Sequence, residues 1–227
     1  MKLLAIDTAA DRCAACVWSV DENRVLSRSV EPMRTGHAER LMAVIDSGLR
    51  DAETDFPDLG AIVVATGPGS FTGIRVGLAT ARGFGVGLRV PVIGIDVLRA
   101  IAEETRAEHP GRPVTVALDG GRGEIHAASY GPDGEVIEEP AALTLEQVMA
   151  RALTLSPVLA GTAAPKVSAE LLDATLGPVT PTADIETFAR LGARALASDP
   201  NPERPRPLYL RAPDAKPQSF TLSRRES

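Results

Sequence analysis

Aromatic side chains are scarce. Five Phe, two Tyr and one Trp give 4% of 227 residues, little material for the stacked platforms on which single-stranded nucleic acid is held. Two cysteines are too few for a disulfide framework and fit a reducing compartment. Apolar runs such as Ala61–Ala65 are short, and none approaches the roughly 20 residues needed to cross a bilayer. The opening MKLLAID reaches Asp7 before a long apolar core develops, so a secretory leader is not expected. A cytoplasmic location and no membrane partner are expected instead. Positive charge is also short, with 24 Lys and Arg against 30 Asp and Glu for a net −6. The chain as a whole is no electrostatic trap for nucleic acid, and work on RNA would call on a local basic patch or a more basic partner.

Hydrophobic residues at 44% and charged residues at 24% are the composition of an ordinary globular protein. The length allows one large domain or two lobes. Along the chain, Lys2–Ile6, Cys13–Val20 and Arg24–Val30 read as strands separated by polar turns. Thr35 is placed to cap a helix through Asp51, with Leu41, Met42, Val44, Ile45 and Leu49 at helical spacing. Leu59–Ala65 reads as a strand, Ile74–Leu88 as a helix and Val90–Ile95 as a strand.

The pattern then restarts. Val114–Leu118, Ile125–Tyr130 and Glu135–Glu139 are strand-like, with an Asp133-Gly134 hairpin signal before the last. A helix over Leu145–Leu153 and a strand at Val158–Gly161 follow. Laying Asp119 over Asp7 also lays Tyr130 over Trp18, Asp133 over Asp21 and Ile137 over Val25 without a gap. Two similar lobes are therefore expected, joined near Asp96–Pro113. From Asp199 onward six prolines exclude helix interiors and central strands. That tail is expected to run extended, anchored by Pro207–Leu210, with its last ten residues disordered.

Candidate chemistry is sparse. Cys13 and Cys16 have redox-motif spacing but fall in a strand, where a helix N-terminus is not available to lower a thiol pKa. Buried, inert cysteines are expected. His37 lacks a second histidine one turn on, since that position is Leu41, so a zincin site is absent. Asp7 and Asp119 each close a strand at the mouth between the lobes. In lobed ATP phosphotransferases such aspartates position Mg²⁺ or an attacking group; the plainer role is to accept backbone hydrogen bonds in a turn. The first turn, Thr8–Arg12, has no glycine, whereas Asp119-Gly120-Gly121-Arg122-Gly123 is permissive to phosphate. A vestigial nucleotide cleft at Asp7, Asp119 and Gly120 is one expectation, and an ATP-dependent phosphotransferase is the alternative function it would serve.

The sharpest motif is Gly67-Pro-Gly-Ser-Phe-Thr-Gly-Ile-Arg-Val-Gly77. It fits neither the Rossmann fingerprint nor a Walker loop. Ser70 or Thr72 is placed to cap the helix that follows. Gly73, Gly77, Ala81 and Gly85 recur every four residues, a stripe that makes sense where another backbone approaches closely. The approach is either within this chain or from another subunit.

Together with Leu4-Ala-Ile-Asp-Thr8, His37-Ala-Glu39, Pro91-Val-Ile-Gly94 and Tyr209-Leu-Arg211, in that order, this motif resembles the TsaB family, also called YeaZ. The resemblance implies an α/β fold of the actin-like, RNase H-like two-lobe type, with lobes at residues 1–98 and 99–198 and a proline-rich tail at 199–227. It implies a part in installing the threonylcarbamoyl group on N6 of adenosine 37 of tRNA (t6A), as the partner of TsaD, the catalytic paralogue. TsaE would join through TsaD, and tRNA would be met through the complex. ATP and metal would sit on those partners, with no cofactor, metal or catalytic residue in this chain. TsaD-like sequences carry two metal-binding histidines on the helix after the Pro-x-x-Gly strand; the matching positions here are Val97 and Ile101, which cannot ligate. The first two helices would form the pairing surface, through His37, Leu41, Val44, Ile45, Gly73, Gly77 and Ala81, with Arg75 and Arg82 at the rim. A homodimer through the same surface is expected of the isolated chain, and Gly77→Leu is expected to break pairing while sparing the fold. A metallopeptidase, a label sometimes given to this superfamily, is disfavoured by the missing histidine pair.

Overall fold

The computed structural model describes residues 1–210; the expectation for the last ten residues lies outside the described residues. Two five-stranded sheets carry the fold. In the first, β1 (Lys2–Asp7), β2 (Arg12–Ser19), β3 (Arg24–Pro32), β4 (Leu59–Ala65) and β5 (Val92–Ile95) run in the order β3-β2-β1-β4-β5. In the second, β6 (Val114–Gly121), β7 (Glu124–Tyr130), β8 (Val136–Leu143), β9 (Val158–Ala160) and β10 (Thr175–Leu176) run β10-β9-β6-β7-β8. Each sheet starts with an antiparallel meander and adds two parallel strands beside its first strand. This repeated order is the actin-like, RNase H-like α/β architecture, duplicated. The gapless match between halves is off by one residue at the first turn. Asp7 lies opposite Ala14, whereas Asp119 lies opposite Ile125, because the second hairpin is one residue tighter.

The central strands β1 and β4 are apolar along their length because both faces are covered. Helices α1 (His37–Asp51) and α2 (Phe71–Leu88) cover one face of the first sheet. The other face is covered by α6 (Ile185–Ser198), which packs on β1, β2, β4 and β5. Helix α3 (Val97–Glu108) packs on β6, β7 and β9 and against α6, so the main core runs unbroken from one sheet to the other. On the far side of the second sheet, α4 (Leu145–Leu155) and the short α5 (Ala164–Ser168) close a smaller core around Val148, Leu159 and Val167.

Three expectations change. The boundary at residue 98 cuts α3, and α6, although late in the chain, belongs by packing to the first sheet. The lobes thus exchange a helix rather than meeting end to end. Thr35 does not cap α1; Gly36 holds that position at φ 85° with no side-chain cap, a left-handed backbone that glycine adopts without a Cβ clash. Ser70 does cap α2, accepting from the Gly73 N–H at 3.2 Å. Finally, the stripe Gly73, Gly77, Ala81 and Gly85 faces inward. A Cβ on Gly73 would overlap the Thr8 carbonyl, one on Gly77 would lie 2.5 Å from Thr8 Oγ1, and one on Gly85 would overlap Val92. The close backbone approach is to this chain's own β1 turn and sheet.

Gly77→Leu is therefore a stability variant. Thr8 Oγ1 cannot give way, because its hydroxyl donates to the Gly73 carbonyl at 2.7 Å. The isolated chain should lose about 1–3 kcal/mol, the usual cost of overpacking, read as a lower urea midpoint.

Candidate functional site

Asp7 ends β1, and its carboxylate is fully buried. One oxygen accepts from the Ala9 N–H at 2.9 Å. The other accepts from Arg12 Nη2 at 3.0 Å and Nε at 3.2 Å, and from the Thr182 hydroxyl at 2.9 Å. Arg12 also donates to the Ala183 carbonyl. The two oxygens together accept four hydrogen bonds from this chain. The cluster ties the end of β1 to the segment entering α6, with the carboxylate fully buried among these donors. Of the two roles open to Asp7, the structure selects the turn-stabilising one.

The turn that would meet a phosphate is filled as well. The Ser70 N–H donates to the Ala9 carbonyl at 2.7 Å, and Gly69 sits so close to Ala9 that a Cβ there would overlap its carbonyl. The Gly67–Gly77 motif is thus a clasp on the Thr8–Arg12 turn. Its Gly69 and Gly73 admit the carbonyls of Ala9 and Thr8.

A cleft between the lobes survives, about 210 Å³, lined by Ala10, Asp11, Pro68, Asp119, Gly120 and Thr162 among others. Asp7 is not part of it. The Asp119 N–H donates to Thr162 Oγ1 at 2.9 Å and its carboxylate accepts from Gly121 N–H at 2.8 Å. The cleft is smaller than the roughly 300–1,000 Å³ of ordinary small-molecule sites. Asp119 and Gly120 line the cleft, and Asp7 does not join them there.

The remaining candidates lie in the core. Val97 and Ile101 are fully buried on α3. Among the described residues no group of three or more His, Cys, Asp and Glu is placed to hold a metal ion. Cys13 and Cys16 are fully buried in β2, and burial pushes both thiols up to about 12. His37 is buried, with Nε2 3.2 Å from the Ala10 carbonyl, so it braces the same turn that Asp7 holds. Leu41, Val44 and Ile45 are buried under α1. Together with Gly73, Gly77 and Ala81 they face this chain's own sheet and are inaccessible to a partner. That corrects the expected pairing residues.

What α1 and α2 offer outward is a different set. Met42 is 48% exposed and Val86 73% exposed, and Ala43, Ala79 and Gly83 are exposed on the same pair of helices. A Cβ on Gly83 or Gly87 would meet nothing within 4 Å. The spacing rule behind the inward stripe could also have found this outward one, Ala79, Gly83 and Gly87. Arg75 and Arg82 flank it and are both held by the tail. Arg75 Nε donates to Tyr209 Oη at 2.7 Å, and Arg82 donates to the Pro205 carbonyl. The Leu208 N–H donates to the Thr66 carbonyl at 2.9 Å, so the tail is anchored where the sequence placed its anchor.

A family model described as "TsaD: tRNA N6-adenosine threonylcarbamoyltransferase" matches residues 25–177. An uncharacterized protein of Mycobacterium tuberculosis is 35% identical over 215 residues, 95% of this chain and 94% of that protein. The Escherichia coli "tRNA threonylcarbamoyladenosine biosynthesis protein TsaB" is 31% identical over 133 residues, 59% of this chain. That match spans just over half of the E. coli protein, 56% of its length. The solved structure "YeaZ from Pseudomonas aeruginosa" shares the fold at a TM-score of 0.79 and 24% identity, covering 92% of this chain and 99% of that one. No helix among the described residues is long and apolar enough to cross a membrane.

Asp7→Ala should cost about 3–5 kcal/mol, because it strands a partly buried guanidinium, and should leave Mg-nucleotide binding where it was. Paired urea melts and nucleotide titrations separate this from a ligand role, which would lower affinity in a stable fold. A thiol reagent at pH 8 should label neither cysteine in the folded chain and both in denaturant.

Proposed function

The chain belongs to the TsaB/YeaZ family, and from that premise we propose that it is a non-catalytic subunit of the apparatus that installs the t6A modification on tRNA, acting by binding and stabilising a TsaD subunit. The observation that carries the reading is the enclosure of Asp7. The aspartate best placed for phosphate or metal chemistry in a two-lobed scaffold is buried and bonded by Arg12, Thr182 and the Ala9 amide. Val97 and Ile101 support it, since neither side chain can ligate where a catalytic paralogue would place histidines. On this reading ATP and metal are held by TsaD and TsaE, TsaE joins through TsaD, and the work is cytoplasmic. The phosphotransferase alternative loses its first aspartate to the Arg12 ion pair.

The pairing surface in this proposal is the outward ridge of α1 and α2. Met42 and Val86 supply apolar contact, while Ala79, Gly83 and Gly87 keep the ridge low enough for a second helix pair to approach. The same ridge would make a homodimer when no TsaD is present. The residues on it lie on the opposite, solvent-facing side of the helices from those first expected, but the two helices are the same.

Gly83→Leu tests the surface cleanly, because the new side chain enters open space. The isolated chain should melt at or above the wild-type temperature, since leucine is the better helix former by about 1 kcal/mol. Co-purification with the organism's own TsaD should fall at least about tenfold, a loss of about 1.4 kcal/mol. A t6A assay with and without this chain tests the function itself. Full activity of TsaD alone, or transfer by this chain alone, would contradict the proposal.

A further inference from the structure

From Leu59 to Ile95 the chain carries no acidic residue, and its three basic residues, Arg75, Arg82 and Arg89, recur every seven positions. Seven residues are close to two helical turns, so the three follow one side of α2 over about 21 Å. That side faces the returning tail, which adds Arg204 and Arg206 on either side of buried Pro205. Arg82, Arg89, Arg204 and Arg206 line a single groove of about 740 Å³, walled also by Val86, Val92 and Pro202. Among the described residues no carboxylate lines it. Among the described residues none of the four arginines is in an ion pair. Arg82 donates to a neutral carbonyl, so among the described residues no ion pair offsets the charge of the groove, in a chain whose net charge is −6.

The shape of this charge selects its ligand. Guanidinium forks match phosphate oxygens two at a time, and four of them in one groove match a polyanion better than a single carboxylate. Pro202, Pro205 and Pro207 have no N–H with which to pair an added peptide strand. At the far end Arg75 lies 3.7 Å over the Phe71 ring. Phe71 and Tyr209, with ring centroids 5.4 Å apart, remain 56% and 45% exposed. An exposed aromatic pair beside a cation is a platform for an unstacked base. The one aromatic cluster the tail builds therefore continues the line of arginines.

We propose that this groove binds the phosphodiester backbone of a structured RNA, the tRNA of the reaction proposed above, with Arg89, Arg204 and Arg206 on phosphates. The choice of RNA over an acidic protein surface rests on that functional reading. The positive side of α2 adjoins the outward ridge, so a chain docked through its ridge would present the groove beside its partner.

The test uses labelled tRNA across a salt series, with the full chain alone and in complex with TsaD, and the variant R89Q/R204Q/R206Q. Each phosphate contact adds about 0.7–0.9 to the slope of log affinity against log salt. The variant should therefore bind at least about tenfold more weakly in low salt, with a slope shallower by about 2. Its melting temperature and its co-purification with TsaD should stay at wild-type values. Equal slopes for wild type and variant, alone and in the complex, would overturn the proposal. So would a variant that keeps tRNA but loses TsaD, because the groove would then be a protein-docking surface. Failure of the wild-type chain to co-purify with TsaD would sink the pairing reading and leave the salt slope of the isolated chain to judge the groove.

Discussion

One buried carboxylate holds the arrangement of the two halves. Asp7 gathers the Ala9 amide, the Arg12 guanidinium and the Thr182 hydroxyl, while Arg12 reaches on to the Ala183 carbonyl. The last strand residue of the first hairpin is thereby fastened to the start of α6, some 175 residues later. An isolated buried charge would be ruinous, and a buried pair offsets its desolvation only when its remaining lone pairs are also used. Here four donors from this chain share the two oxygens. On the reading proposed above, the bonds that fasten the turn are also the bonds that occupy the aspartate.

The glycine-rich segment serves that cluster. Gly69, Gly73 and Gly77 let α2 lie on the Thr8–Arg12 turn, and His37 braces the turn from α1. A loop that resembles a phosphate cradle in composition is thus a packing device. The difference is decided by what fills the space beside the glycines, and here it is the carbonyls of Thr8 and Ala9. The contribution of α1 and α2 is accordingly double-sided. Their inward faces hold the core, and their outward faces are free of it.

Much of the fold was legible in the sequence. The strand–turn–strand restart, the caps at Ser70 and the anchor at Leu208 follow from local pattern alone, because hairpin turns, alternation and prolines are local signals. The helix α6 was not anticipated, although Asp184 as N-cap and Ile185, Phe188, Ala189 and Gly192 at helical spacing mark it. Its packing on the first sheet depends on contacts between distant segments, which local pattern does not carry. The direction of the glycine stripe was not readable, since spacing gives a face but not what lies against it. Likewise the Asp7 ion pair depends on Arg12 and Thr182 meeting in space. The arginine groove joins residues from two distant segments, and overall composition, acidic on balance, hides it.

The exchange of α6 has an evolutionary reading. A duplicated fold is commonly pictured as two modules that once stood alone, yet the first sheet here borrows its inner cover from the end of the chain. With Leu3, Ala5 and Val63 on the face that this borrowed helix covers, an expressed fragment ending at the lobe boundary would bare an apolar sheet face and aggregate. Nascent chain leaving the ribosome meets the same problem. Its amino-terminal half must wait, partly assembled, until nearly the whole polypeptide has been made.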